Sequence, residues 1–518
     1  MNPIELKLFS SRVAAICDEM GLVLKRTAFS PNIKDRLDFS CALFGPEGEL
    51  YAQAAHIPVH LGSMAYAMGS LVRERDWGSG DILVVNDPYL GGTHLPDVTL
   101  IAPVFSPEES RSELVGFVAN RAHHANIGCD TPGSMPVSQR LEEEGIIIPP
   151  TLLYRAGKLQ RDCLELLELD ANESVINGDF AAQAGSVQVG IERLLDLLSK
   201  VGVENYLQGM AELNEYADRI TASTLKDLRS GEYHFQDYLD GDGFSAEQVL
   251  LALKLSISDQ QIELDFSESS DMVPGNLNCP ESVVAAAAYY CFRCLMPDEA
   301  PACDGLFRRI KIKTREGSIL NARRPAAVAA GNVETSTRLV DLVFGALSQA
   351  LPVQIPAASQ GSMNNIAMGR IDELTGERWD YYETLAGGCG GGPNYAGLDC
   401  VHSHMTNTLN TPVESLELHY PLRVRQYAVR RGSGGAGAQR GGDGIVREYE
   451  FLEPAQLSLL TERRETVPWG LAGGEAGAAG ANLLNGEPLP GKCSLAVKAG
   501  DRLLVRTPGG GGFGKDPV

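Results

Sequence analysis

The chain is expected to fold as a multidomain α+β protein. Mixed sheets with helices would form its N-terminal and central parts, and its C-terminal region would be β-rich and glycine-rich. Three observations lead there. At 518 residues it is long enough for roughly two to four domains. Segments of helical and strand period come in blocks rather than in strict strand–helix alternation. Its 56 glycines gather toward the C-terminus, between short apolar runs.

Taken in order, Leu6, Val13, Ile16, Met20 and Leu24 recur at the spacing of an amphipathic helix. Glu5, Asp18 and Glu19 interrupt that stretch, so it does not read as a signal peptide. Strands are expected at 37–44, 82–85 and 114–118, then a mostly helical stretch from about 165 to 229. Antiparallel strands at 233–239, 251–257 and 261–266 precede an alanine-rich helix at 285–296, and 338–351 reads as a further helix. Beyond residue 417, strands at 422–429, 445–451, 457–461, 494–497 and 502–505 alternate with glycine-rich turns. The domain expectation is therefore an N-terminal α/β region with a helical extension (1–230), a small α+β module (231–315), a central mixed region completing the core (316–415) and a β-rich region (416–518).

Composition excludes several classes. Hydrophobic residues make up 44% and charged residues 21%, ordinary for a soluble enzyme. No apolar run approaches the about 18 residues of a membrane span. A formal net charge of −23 repels nucleic acid and anionic membrane surfaces alike. The eleven scattered cysteines fit reduced thiols in the cytoplasm better than a disulfide framework. Cys291 and Cys294 form a CxxC within the alanine-rich helix, where two packed core thiols are expected.

The richest chemistry lies at His94-Leu-Pro-Asp97 and His123-His124. Each follows an apolar strand, so imidazole and carboxylate can be aimed from loops on a rigid sheet at one divalent cation. Pro96 and the neighbouring glycines argue against a helix here. Asp38 lies in an alternating run, either on a solvated strand face or as a buried carboxylate that needs a partner. His56 and His60 flank Pro58, which spoils a helical metal pair; they either hydrogen-bond structurally or line a polar pocket. Glu142-Glu143-Glu144 is a solvated charge run or the source of a base near the metal. His402 and His404 alternate on one strand face and make a second site candidate. Gly432–Gly437 matches a dinucleotide pattern but leads into another strand, and Gly509–Lys515 lacks the hydroxyl residue of a phosphate loop. Neither can hold a nucleotide.

Longer stretches carry a resemblance. Asn86-Asp87-Pro88-Tyr89-Leu90-Gly91-Gly92-Thr93-His94-Leu95-Pro96-Asp97, Ala119-Asn120-Arg121-Ala122-His123-His124, Arg36-Leu37-Asp38-Phe39-Ser40 and Ala55-His56-Ile57-Pro58-Val59-His60-Leu61-Gly62 resemble the hydantoinase B/5-oxoprolinase B-subunit family. So do Gly331-Asn332-Val333-Glu334-Thr335-Ser336, Ser362-Met363-Asn364-Asn365, His404-Met405-Thr406-Asn407-Thr408 and the closing Thr507-Pro508-Gly509-Gly510-Gly511-Gly512-Phe513-Gly514. The likeness runs from about residue 3 to 516.

The resemblance implies a subunit of an ATP-dependent cyclic-amide hydrolase acting on 5-oxoproline, N-methylhydantoin or a lactam. ATP would bind to a kinase-like hydantoinase A/oxoprolinase A partner in a hetero-oligomer, not to this chain. It further implies a zinc or manganese ion on His94, Asp97 and His123, with Asp38 as fourth ligand. The partner would phosphorylate the ring carbonyl, and water activated by the metal would open the ring. By position, Asp87 or His124 would orient that water or a ligand imidazole, and His56 and His60 would contact the substrate. Related ketone carboxylases offer a rival reaction, carboxylation of a phosphorylated enol. A non-catalytic scaffold holding a structural metal is a second rival.

Overall fold

A computed structural model describes residues 1–54, 57–106, 113–169, 178–371 and 378–515. Among these residues the architecture is α+β: helices accompany four sheets, of seven, four, four and five strands. Instead of four consecutive domains, the chain makes two compact units, each built from separate stretches. One comprises 1–124, 146–227 and 292–311; the other comprises 125–145, 228–291 and 312–518. Sequence periodicity marks elements but not the points where the chain leaves one core and later returns to it.

The first unit is organised by a seven-stranded sheet. Its strands are β1 (Phe39–Phe44), β2 (Leu50–Gln53), β3 (Ile82–Val85), β4 (Asp97–Phe105), β5 (Leu114–His123), β6 (Thr151–Arg155) and β7 (Lys158–Leu159), in the spatial order β2-β1-β5-β4-β3-β6-β7. Helix α1 (Pro3–Thr27) forms where the apolar spacing placed it, opened by Asn2, whose side chain accepts from Ile4 and Glu5 while Glu5 reaches back. A short turn of helix α2 (Pro31–Lys34) leads to β1. Helix α3 (Pro58–Arg73) was not expected, because Pro58 reads as a breaker. At the first helical position its missing N–H costs nothing and its fixed φ suits the helix. Helices α4 (Arg161–Leu166), α5 (Gly178–Val201) and α6 (Val203–Leu225) follow.

The two faces of this sheet are covered differently. On one, Met64, Met68 and Leu71 of α3 pack against Ala42, Phe44, Leu83, Ile101 and Phe117. On the other, Gln183 of α5 bonds to β4 and β5 through the Val98 carbonyl (2.9 Å) and the Asn120 side chain (3.0 Å). Both faces are therefore buried, and strand residues of either parity are apolar or hydrogen-bonded.

In the second unit, strands Gly231–Leu239, Val249–Ser258 and Gln261–Asp265 form an antiparallel meander. Helix Ser336–Ala350, preceded by one wide turn at Gly331–Thr335, lies where 338–351 was expected. The expected β-rich C-terminus divides between two sheets. One runs Arg378–Glu383, Asn365–Ile371, Ala455–Leu460, Lys492–Val497; the other runs Leu422–Arg430, Gly444–Phe451, Arg502–Arg506, Ala481–Leu484, Glu487–Leu489. Ile366, Tyr381, Phe451, Leu457 and Leu503 bury a shared core between them. Cys291 is buried but Cys294 is exposed, so the expected pair of packed core thiols is not formed. None of the eleven cysteines forms a disulfide.

The glycine-rich segments have a use beyond turning the chain. Gly435 N–H donates to the Gly510 carbonyl (2.9 Å), Gly510 N–H to Gly442 (2.9 Å), and Gly442 N–H to Cys389 (2.8 Å). Bare backbones thus pack on one another, and a Cβ at Gly510 would lie 2.0 Å from the Cys389 carbonyl oxygen. Gly510→Ala is accordingly expected to destabilise the protein by more than about 3 kcal/mol, at or above the usual cost of overpacking. Denaturant unfolding of the purified variant measures this, and an unchanged midpoint would contradict the packing argument.

Candidate metal centre

Strand register places the centre. β4 and β5 run antiparallel with Asp97, first in β4, opposite His123, last in β5. Residues 117, 119, 121 and 123 of β5 face α3, while 118, 120, 122 and the following His124 face α5. The two histidines expected to act together therefore point to opposite sides of the sheet. Asp97 and His123 are strand residues rather than the loop ligands expected; of the three, only His94 is in the loop.

That loop is held at several points. Asp87 accepts the Tyr89 N–H (3.0 Å) and caps the short turn Pro88–Leu90. Gly91 follows at φ 107°, a conformation an L side chain resists. The Asn86 amide donates to the Leu95 carbonyl (2.8 Å). Arg121, fully buried, donates to the Gly91 carbonyl (3.0 Å), Thr99 Oγ1 (2.8 Å) and Ser63 Oγ (2.8 Å), joining loop, strand and α3. Burial pulls its pKa down to about 10 against the opposing field of Asp97. Arg121 was not singled out by sequence; its signal was a basic residue inside an apolar strand, in phase with His123.

The result is one group of His94, Asp97 and His123, all buried, whose ligand-type atoms lie within 4.8 Å of one another; among the described residues no other such group occurs. His94 Nε2 is 3.3 Å from Asp97 Oδ1, and the His94 and His123 rings meet edge to face at 5.1 Å. Asp97 Oδ2 accepts from Thr93 Oγ1 (2.6 Å) and stands 3.2 Å from His60 Nε2. Burial would raise the Asp97 carboxyl, but His94 and His60 outweigh it and hold the acid well below the usual carboxylate range. Burial, reinforced by His94, keeps the His123 imidazole well below its usual value, hence neutral.

Asp38 stands beside this trio. It precedes β1 instead of lying within it, because Leu37 adopts φ 59° and turns the chain just before the strand. Its carbonyl accepts the His123 N–H (3.0 Å), and its carboxyl is within electrostatic range of His60, Asp97 and His94. Burial raises that carboxyl, opposed by His60 and Arg36, whose Nη2 is 4.0 Å from Oδ2.

The remaining expected site residues are placed as follows. His60, expected to contact the substrate, lies in the first turn of α3 with Nδ1 3.3 Å from Ser40 Oγ and Nε2 3.2 Å from Asp97 Oδ2, so both ring nitrogens face protein partners. His124 packs 4.5 Å from the Phe180 ring with Nε2 2.8 Å from Gln183 Oε1 on the α5 face, which corrects its expected role at the cation. Asp87 shapes the loop. His56 lies outside the described residues. Glu144 belongs to the second unit, where it accepts from Ser138, Val328 and Ala329. His404, also in the second unit, faces Asp341 at 3.5 Å.

The donor chemistry fits a cation. Bonds of about 2.0–2.2 Å from imidazole and carboxylate put ligand atoms roughly 3–4 Å apart, so the three need only small side-chain adjustments. Mixed nitrogen and oxygen donors suit zinc and manganese alike. An α+β protein with a buried centre of two imidazoles and a carboxylate is thus defined.

Residues 2–516 match the family model described as Hydantoinase B/oxoprolinase, and the chain belongs to that family. It is 40% identical to 5-oxoprolinase 1 of Arabidopsis thaliana over 99% of its own length, but spans only 42% of that longer protein. An ATP-dependent caprolactamase from Pseudomonas jessenii superposes with a TM-score of 0.89 at 27% identity, covering 99% of this chain and 91% of the other. An acetone carboxylase has the same fold, with a TM-score of 0.86 at 18% identity over 99% of this chain and 76% of that one.

Two substitutions separate the faces of the sheet. His94→Ala is expected to abolish high-affinity zinc or manganese binding in equilibrium dialysis. His124→Ala should leave it within about twofold while costing about 1–3 kcal/mol of stability, through the buried Gln183 acceptor it strands. Loss of binding in His124→Ala with stability intact would contradict this assignment.

Proposed function

We propose that this chain is the metal-dependent hydrolytic part of an ATP-dependent cyclic-amide hydrolase of the oxoprolinase, hydantoinase or lactamase type. The observation that carries the proposal is the buried convergence of His94, Asp97 and His123. Similarity over 99% of the chain to a caprolactamase and to a plant 5-oxoprolinase supports it. A kinase-like partner is proposed for the ATP step, for two reasons. The region matched here is two fifths of the plant enzyme. The glycine segments resembling nucleotide loops are filled by neighbouring backbone, as at Gly510 and Gly442.

A ring amide is a poor electrophile, because nitrogen feeds electron density to the carbonyl carbon and is a bad leaving group. Phosphorylation of the carbonyl oxygen by the partner would make that carbon electrophilic, and the phosphorylated ring would pass to this chain. There water would add, the protonated nitrogen would leave with cleavage of the ring C–N bond, and the resulting acyl phosphate would be hydrolysed to carboxylate and phosphate. His94, Asp97 and His123 would hold the cation, with Asp38 as the nearest further acidic donor and our choice for the fourth position. A zinc or manganese ion there would supply Lewis acidity and activate water near neutral pH.

The chain's own residues prepare that site. Asp97 stays ionised, held by His94 and His60. Thr93 and His60 occupy its Oδ2, leaving Oδ1 toward His94. His123 stays neutral, as a ligand must. Arg121 fixes the His94 loop from beneath.

The test is activity of this chain purified with a kinase-like partner, with ATP and 5-oxoproline, hydantoins or small lactams. Ring opening coupled to phosphate release is expected, lost on chelation, restored by zinc or manganese, and absent in His123→Ala. Turnover that survives chelation, or that requires bicarbonate and a ketone in place of a cyclic amide, would sink the proposal.

A further inference from the structure

Resting on the reading of His94, Asp97 and His123 as a cation site, we propose that Thr93 and His60 are positioning residues that make Asp97 a ligand through one oxygen, Oδ1. In doing so they set part of the centre's preference for zinc over manganese. His60 stands outside the group of converging donors, which among the described residues is His94, Asp97 and His123. It nevertheless points at that group. Its Nε2 is 3.2 Å from Asp97 Oδ2, and Thr93 Oγ1 donates to the same oxygen at 2.6 Å. A carboxylate oxygen has acceptor sites only, about two of them, and here a hydroxyl and an imidazole face them. The other oxygen, Oδ1, is turned to His94, 3.3 Å from Nε2. Thr93, His60, Asp97 and His94 are all buried.

Both groups on Oδ2 are fixed by the fold. Ser40, in β1 and paired with Arg121 of β5, places Oγ 3.3 Å from His60 Nδ1, and this contact steadies the ring whichever of the two atoms donates. One turn along α3, Ser63 Oγ donates to the Val59 carbonyl (2.8 Å) and accepts from Arg121 Nη1 (2.8 Å), which ties the start of that helix to the sheet. Thr93 adjoins His94 in the loop that Arg121 holds at the Gly91 carbonyl. Zinc is bound most often by four single-atom donors, whereas manganese takes a larger, oxygen-rich set. A carboxylate restricted to one oxygen serves the first and deprives the second of a donor. Zinc outranks manganese at most nitrogen and oxygen sites, and Thr93 and His60 widen that margin here.

Four variants of the full-length protein test this. Thr93→Val is nearly isosteric and lacks the hydroxyl, whereas Thr93→Ser keeps it. His60→Leu removes the ring N–H, and His60→Gln offers an amide N–H at similar reach. Zinc and manganese affinities are read by chelator competition, with melting temperatures of the metal-free proteins alongside. In Thr93→Val and His60→Leu, zinc affinity is expected to fall about 10–100-fold and manganese affinity several-fold less, while Thr93→Ser and His60→Gln hold the zinc-to-manganese ratio within about threefold of wild type. A merely structural role would lower the melting temperature and weaken both cations alike. An unchanged ratio in Thr93→Val and His60→Leu, or a ratio that falls equally in the conservative variants, overturns the inference alone. A wild type that holds neither cation overturns it together with the reading beneath it.

Discussion

In the ladder between β4 and β5, Asp97 meets His123, and a slip of one residue would turn one of them to the α5 face, where Gln183 already engages both strands. The pairing is fixed from both sides. Apolar residues of the same strands pack under α3, and Asn120 is locked to Gln183 under α5. The proposed cation centre is thereby tied to the burial of a sheet that the fold needs in any case. His94 and Asp38, which come from less regular backbone, are each fastened to this ladder: His94 through its loop and Arg121, Asp38 through its carbonyl on His123.

Such a cluster is costly to bury, since carboxylate and imidazole lose their hydration. The cost is offset by local pairing, because Asp97 takes a bond from Thr93 and stands 3.2 and 3.3 Å from the His60 and His94 imidazoles. An apolar core would serve stability alone as well or better, so the grouping of perturbed acids and imidazoles points to chemistry. Arg121 shows the same logic. It is a buried cation bonded to neutral oxygens, with Asp97 as its nearby opposite charge.

Much of this was legible in the sequence. His94-Leu-Pro-Asp97 and His123, each following an apolar run, could be read as convergent donors, and the strands beside them have the expected apolar character. What was lost were features set by tertiary contacts. Pro58 reads as a breaker until its neighbours place it at a helix start. His123 and His124 read as a pair until the period-two strand separates them. Leu37 gives no sign of the left-handed turn that takes Asp38 out of β1. The glycine tracts read as turns because mutual backbone packing between 388–392, 434–442 and 509–512 leaves no periodic trace. Two units built from separate stretches likewise have no local signature.

X-ray absorption at the metal edge of protein reconstituted with one equivalent of zinc or manganese tests the central claim most directly. The account predicts a bound ion with two imidazoles and carboxylate oxygens as neighbours. A spectrum without imidazole scattering, or a protein that retains no ion after gel filtration, would contradict it.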